Sequence, residues 1–237
     1  MFSPIPIVSL GNALSFLVGA VIAIRLYSTW KESRSGEIKN FFLTFVFLAG
    51  FFFFAAVPGL LSTNPTLLGL ANFATLPLAH FGAYFFAVIP LTLFQLRRLK
   101  MAYTLLFAGV LGVSLVFRVL GFGPLEEMRQ GNLVFWLRPE NPFMEFSFIL
   151  SGVLLLISVG LAGFVFMLHA LRNRSDRFLF FRSLLLGTGA ALLGVVAVLN
   201  YIIGSTPTAG SQLASSIMAV FALLVMAAGI FLKRRPT

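Results

Sequence analysis

The stretch FMEFSFILSGVLLLISVGLAGFVFMLHAL, residues 143–171, decides the fold. Apart from Glu145 near its start and His169 near its end, it carries no ionisable side chain. About 20 consecutive apolar residues are enough to cross the hydrocarbon core of a bilayer, so a run of this length predicts a transmembrane helix. Backbone groups in lipid must be satisfied within the protein, which favours a helix over a lone strand.

Runs of the same kind occur along the whole chain of 237 residues. The predicted spans cover residues 6–27, 41–61, 68–94, 101–120, 143–171, 178–204 and 211–232. Only 10% of the residues are charged, against roughly 25% in soluble domains, and the mean hydropathy is +1.00. A β-barrel would need shorter, alternating segments. We therefore expect an all-α polytopic membrane protein in which residues 1–237 form a single seven-helix bundle.

Lysine and arginine predict the direction in which the chain crosses the membrane. Most of them fall on one side of the predicted spans: Arg25, Lys31, Arg34, Lys39, Arg97, Arg98, Lys100, Arg172, Arg174, Arg177, Arg182, Lys233, Arg234 and Arg235. The other side holds Arg118, Arg129 and Arg138. Short loops rich in lysine and arginine stay in the cytoplasm. We therefore expect a multi-pass protein of the cell membrane, most simply a prokaryotic plasma membrane, with its N-terminus outside and its C-terminus in the cytoplasm.

The net charge of +10 raises the question of what the basic residues bind. They lie in short clusters between apolar runs, which suits anchoring at lipid head groups, so we expect membrane lipids and no nucleic acid as partners. The chain has no cysteine, which excludes disulfides and thiolate metal sites. No zinc-protease helix, P-loop or nucleophile elbow is found, so we expect no metal site and no catalytic residue.

The longest connection between predicted spans covers residues 121–142. It opens with Gly121-Phe122-Gly123-Pro124, which ends a helix, and it carries Leu133-Val134-Phe135-Trp136-Leu137. Tryptophan often lies at the level of the head groups, so we interpret this run as an interfacial anchor. A lid over an outer pocket is the alternative. Arg118, at the end of the fourth span, is expected to pair with Glu126, Glu127 or Glu145.

Ionisable residues inside the membrane usually mark function, and here no aspartate or glutamate lies within a span away from its ends. This argues against proton pumps and ion-coupled transporters. The two histidines suggest a haem, but at 1.5 Å per residue His80 and His169 differ in depth by roughly 20 Å. One iron cannot use both, whereas a pair of His80 with Met218 or Met226 stays open. We expect no cofactor, with haem, quinone or carotenoid as alternatives.

Polar side chains cluster in the outer half of the predicted bundle. The predicted ligand-binding residues are Asn72, His80, Tyr84, Asn200, Tyr201 and Gln212. At 100° per residue, the three on the third span fall within a sector of about 120°, so they are expected to face one cavity. Hydrogen bonding between helices uses the same residue types and is the alternative interpretation. Small residues such as Gly11, Gly109 and Gly187 are expected to face neighbouring helices.

Two short motifs resemble the seven-helix N-terminal sensor regions of bacterial histidine kinases. In those regions the third helix carries a proline before apolar and aromatic residues, here Val88-Ile89-Pro90-Leu91-Thr92-Leu93-Phe94. Their sixth helix ends in asparagine and an apolar-aromatic pair, here Leu199-Asn200-Tyr201-Ile202. The resemblance implies a signalling role. Because such sensors continue into an output domain, this chain is expected to act on a separate membrane or cytoplasmic protein.

These observations favour a receptor-like or accessory module that binds a small or lipidic ligand, or a partner subunit, in its outer half. A redox subunit holding haem b or quinone near His80 is the first alternative. A facilitator without ion coupling is the second. Catalysis is not expected, because His80 alone offers acid–base chemistry at depth.

Overall fold

A computed structural model describes residues 6–130, 133–137, 140–202 and 209–232. Its described part is an all-α bundle with seven helices that are long and apolar enough to cross a membrane. The helices are α1 (Ile7–Ser33), α2 (Gly36–Leu61), α3 (Pro65–Leu93), α4 (Arg97–Leu120), α5 (Pro142–Arg172), α6 (Arg177–Ala197) and α7 (Ala209–Phe231). A π-helical turn, Val198–Ile202, continues α6, and two short strands, β1 (Glu126–Gln130) and β2 (Leu133–Leu137), lie between α4 and α5.

Capping residues explain why several helices begin before their apolar runs do. The Asn64 side chain accepts hydrogen bonds from the backbone of Thr66 and Leu67, and the proline that follows it is the first residue of α3. Asn141 and Asp176 cap α5 and α6 in the same way. An N-cap oxygen satisfies amide groups that have no partner within the helix, so each helix starts at its cap and not at its first apolar residue.

Six helices close into a ring, and α4 packs outside it. Helix α1 contacts α2 and α7, α3 lies between α2 and α5, and α6 joins α5 to α7. Helix α4 packs against α3 and α5. One end of the bundle carries the two strands; we call it the hairpin end. The opposite end carries the arginines and lysines between residues 25 and 39, 97 and 100, and 172 and 182; we call it the basic end.

The core fills the ring toward the basic end. Phe45 and Phe86 are fully buried there, together with Ile89, Leu223 and Met226, and all six ring helices contribute to this cluster. Burying apolar groups against one another gives a bundle close packing, since lipid offers little hydrophobic drive for helices to associate. Toward the hairpin end the ring is not filled in this way, and that difference positions the site described below.

Glycines bring ring helices close together. Gly19 lies against Ala49 of α2, and Gly187 lies against Met167 and Gly163 of α5. At Gly189 an added Cβ would collide with Met226 and lie 3.2 Å from the carbonyl oxygen of Ala222. The prediction that small residues face neighbouring helices is confirmed for Gly11 and Gly187. It is wrong for Gly109, because α4 turns that position, like Gly112, away from the bundle.

Serines and a tyrosine attach α4 to α5. The Ser114 hydroxyl lies 2.8 Å from that of Ser151, and the Ser147 hydroxyl donates to the carbonyl of Ser114 at 2.9 Å. Nearer the basic end the Tyr103 hydroxyl donates to the Ser158 hydroxyl at 2.8 Å. Such interhelical bonds contribute about 0.6 kcal/mol each on average. They are the hydrogen-bond glue expected of polar residues in a membrane, and they lie between α4 and α5.

The connection between α4 and α5 forms an antiparallel β-hairpin, which the sequence did not predict. Its register runs from Glu126 opposite Leu137 to Gln130 opposite Leu133. The amide of Leu125 donates to the carbonyl of Pro65, so the base of the hairpin is fastened to the start of α3. Strand β2 contacts α1 and α7 on the far side of the ring. The hairpin therefore lies across the end of the bundle.

Candidate functional site

A cavity of about 600 Å³ lies inside the ring at the hairpin end. All six ring helices and the hairpin contribute to its lining, whereas α4 contributes none of the described lining residues. Its uncharged polar lining residues are Ser9, Asn12, Asn72, Thr75, Asn141, Asn200, Tyr201, Gln212, Ser215 and Ser216. Its volume falls within the usual range for sites that bind small molecules.

Aromatic side chains complete the walls and the floor of the cavity. Phe51, Phe52 and Phe148 line it together with Tyr201 and Trp136. Phe52 also belongs to the buried core of the ring, so the floor of the cavity is the top of that core. The site thus combines an apolar base with polar walls, which is the usual composition of a ligand site.

Trp136 joins the hairpin to the cavity. Its indole nitrogen is buried, has no hydrogen-bond partner among the described residues, and lies 3.2 Å from where a Cβ at Gly59 would be. Ser9 packs against the same glycine. Only a glycine leaves room for both side chains. Trp136 lines the cavity, which is the position that the lid interpretation requires, whereas its position at the head groups stays a prediction.

Most polar side chains of the cavity make no hydrogen bond to another described residue. Thr75 bonds locally, to the carbonyl of Asn72 at 2.6 Å. The side chains without a partner in the described structure are those of Ser9, Asn12, Asn72, Asn200, Gln212, Ser215 and Ser216. Ser9 and Ser215 are only 2% and 3% exposed. None of their polar atoms is among the fully buried atoms without a partner, so each of these side chains is open to a molecule in the cavity.

The π-helical turn brings two predicted site residues to the lining. In a regular helix consecutive side chains diverge by about 100°. Here Asn200 and Tyr201 both line the cavity, and the Tyr201 ring packs against Phe148 with ring centroids 5.5 Å apart. Single π-helical turns occur frequently at functional sites. The residues were found from the sequence by their polarity, but the widened turn was not.

Four of the six predicted site residues meet at the cavity: Asn72, Asn200, Tyr201 and Gln212. His80 and Tyr84 do not reach it. At 100° per residue, they lie about 140° and 180° around α3 from Thr75. The Tyr84 hydroxyl is 3.1 Å from that of Thr104, and its ring stacks on Tyr103, so it faces α4. The predicted sector of about 120° on α3 was therefore too wide: Asn72 lies on the face that lines the cavity, whereas His80 and Tyr84 lie beyond that face.

His80 is fully buried beside α4. Its Nδ1–H donates to the carbonyl of Leu76 at 2.7 Å, and its ring packs near Phe107. Its Nε2 has no hydrogen-bond partner in the described part of the chain. His169 lies at the basic end, where its Nδ1 is 2.8 Å from the Ser183 hydroxyl. Met226, the alternative partner considered for a haem, is buried against Gly189.

Replacing His80 with leucine is expected to leave binding at the cavity unchanged. His80 lies outside the lining, and substitutions at sites without shared contacts act independently, so affinity should stay within about twofold of the wild type. Titrating a cavity ligand against Trp136 fluorescence measures this. Asn72→Leu changes the face of the same helix that lines the cavity, so it should weaken binding in the same assay. A loss of binding in His80→Leu alone would contradict the position assigned to the cavity.

Arg118 lies behind the lining of the cavity and contacts two of its residues. It is 1% exposed, donates to the carbonyl of Asn72 at 2.6 Å, and lies over the Phe148 ring at 4.4 Å. It thereby holds one residue of each of two lining helices. Glu127, one of its predicted partners, pairs with Arg129 within the hairpin.

No protein-family model matches this sequence, and no curated protein is significantly similar to it. What the fold and the site define is a class: a seven-helix membrane protein with a partly polar cavity at one end of its ring.

Proposed function

We propose that the chain is a receptor-like or accessory membrane module that binds a small or lipidic ligand in the cavity at the hairpin end. The observation that carries this proposal is the set of cavity side chains without hydrogen-bond partners in the described structure. Amides and hydroxyls that serve as glue bond to a neighbouring helix, as Ser114 and Tyr103 do. Ser9, Asn12, Asn72, Asn200, Gln212, Ser215 and Ser216 line the cavity and make no such bond to another described residue, so they can bond to a ligand.

The floor of the cavity favours binding over passage. A facilitator needs a path along the bundle, but below Phe52 the ring is filled by Phe45, Phe86 and Ile89. Bulky, fully buried side chains at close packing leave little room for a solute. A module that binds a ligand at one end fits this arrangement better than a channel does.

The charge asymmetry supports an orientation for the module. The basic end would lie in the cytoplasm and the hairpin end outside, since lysine and arginine are retained on the cytoplasmic side. A ligand would then enter from outside the cell membrane. A partner protein in the membrane or the cytoplasm would receive the signal at the basic end, the sensor role that the resemblance implies.

Native mass spectrometry of the protein, purified from its own membranes in mild detergent, tests the proposal. The wild type is expected to carry a bound mass that the double variant Asn72→Leu/Asn200→Leu loses, because both amides line the cavity. Asn40→Leu is the matched control: Asn40 lies on α2 near the basic end and does not line the cavity. It should keep the bound mass.

Thermal unfolding of each variant separates lost binding from lost folding. A bound mass that persists in a folded double variant, or a wild type that carries none, would contradict the proposed function.

A further inference from the structure

Three carboxylates stand among the residues that line the cavity: Glu126, Glu140 and Glu145. All three are exposed, and none forms an ion pair with another described residue. No lysine or arginine of the described chain lines the cavity. In a protein of net charge +10, this is a local reversal of sign. Carboxylates at the mouth of a low-dielectric cleft attract cations and repel anions.

Aromatic rings line the same space. Trp136, Phe51 and Phe54 are among them, and the face of an aromatic ring attracts a cation within about 6 Å. The chain itself provides an example, because the Arg118 guanidinium lies over Phe148 at 4.4 Å. Arg118 is not among the lining residues, so it does not occupy the cavity.

Buried hydroxyls provide the third observation. Ser9, Ser215 and Ser216 line the cavity, are at least nine-tenths buried, and have no hydrogen-bond partner among the described residues. Each hydroxyl oxygen can accept from a donor, and the amide oxygens of Asn12 and Asn200 add two more acceptors. An ammonium group carries only donors. The unpartnered oxygens can therefore accept its hydrogen bonds, whereas the preference for a cation comes from the carboxylates, because hydroxyls and amides can also donate.

From these three observations we infer that the ligand of the cavity is an organic ammonium ion with an apolar body. The inference rests on the proposed function and gives it a ligand class. The carboxylates draw the cation to the mouth, the aromatic rings and hydroxyls hold its head, and the apolar floor at Phe52 and Ala219 takes its body. An anionic ligand would meet three carboxylates and no described basic side chain in the lining.

Three probes with the same body and different heads test the ligand class: 4-phenylbutylammonium, 4-phenylbutanol and 4-phenylbutyrate. The chain has two tryptophans, so Trp30→Phe leaves Trp136 as the reporter in the cavity. In nanodiscs of a zwitterionic lipid, we expect the ammonium probe to bind about tenfold more tightly than the alcohol, and the carboxylate more weakly than both.

In the triple variant Glu126→Gln/Glu140→Gln/Glu145→Gln, the affinity for the ammonium probe should fall to within about twofold of the affinity for the alcohol. Glu32→Gln/Glu37→Gln, which removes two exposed carboxylates at the basic end, is the control and should change nothing. If the alcohol or the carboxylate bound as tightly as the ammonium, the inferred ligand class would be wrong, but the cavity would remain the proposed binding site. If no probe changed the Trp136 signal, the inference would also be overturned, and the bound-mass experiment would decide separately on the proposed function.

Discussion

Gly189→Leu is expected to separate α6 from α7 and to lower the free energy of unfolding by about 2–3 kcal/mol. Any side chain at this position collides with Met226, which is fully buried, and the backbone of Ala222 and Met226 lies within 3.3 Å of the added Cβ. Met226 can move in part, but backbone atoms cannot yield without moving the helix. Unfolding by titration with sodium dodecyl sulfate in mixed micelles measures the change.

Gly109→Leu is the matched control, because it makes the same substitution on a helix surface with nothing within 4 Å. Leucine is also the better helix former by nearly 1 kcal/mol, so this variant should be as stable as the wild type or slightly more so. Equal stability of the Gly189 and Gly109 variants would mean that α6 and α7 do not approach as closely as described.

The fold was predictable from the sequence because lipid leaves the backbone few choices. Each of the seven predicted spans corresponds to a helix of the structure. The differences lie at the ends, as at Gly36 and Arg97, where helices begin five and four residues before the predicted runs at 41 and 101. Those turns are polar, so hydropathy does not register them. The Ser35 side chain caps α2, whereas α4 begins without a side-chain cap.

The site was predictable in part, and the limit was geometric. Polarity identified Asn72, Asn200 and Gln212, which the structure brings to one cavity. It could not separate them from Tyr84, whose hydroxyl bonds to α4, because a sector of about 120° on a helix can face two neighbours. The ring order that turns α4 outward depends on packing between distant segments, and no local pattern encodes it.

The hairpin and the π-helical turn gave no sequence signal of their own. The run 133–137 is apolar throughout and shows no period of two, so it did not indicate a strand. Its pairing with 126–130 leaves Val134 buried and places Trp136 in the cavity wall.

The acidic residues near the hairpin were a signal for the site itself. Glu126, Glu140 and Glu145 are three of only seven acidic residues in the chain, and all three line the cavity.

A cysteine at Ser216 is expected to react with a water-soluble thiol reagent about a hundredfold faster than a cysteine at Ser114. The chain has no cysteine of its own, so each variant carries a single thiol. The two serines are almost equally buried, at 6% and 0% exposure, but Ser216 lines the cavity and Ser114 is packed between α4 and α5. A packed thiol reacts only when the structure opens locally, and an opening free energy of about 3 kcal/mol slows the reaction about a hundredfold.

The rate of modification by a methanethiosulfonate reagent in detergent measures this difference, and thermal unfolding confirms that both variants fold. Equal slow rates would mean that water does not reach Ser216, and its hydroxyl would then belong to the packing between α1 and α7, as its contact with Gly11 allows. A fast rate at Ser216 together with a slow one at Ser114 distinguishes a cavity from hydrogen-bond glue, which polarity alone could not do.

The same variant also tests the orientation in the membrane. Applied to intact cells, an impermeant reagent of the same kind reaches Ser216→Cys only if the hairpin end faces outward.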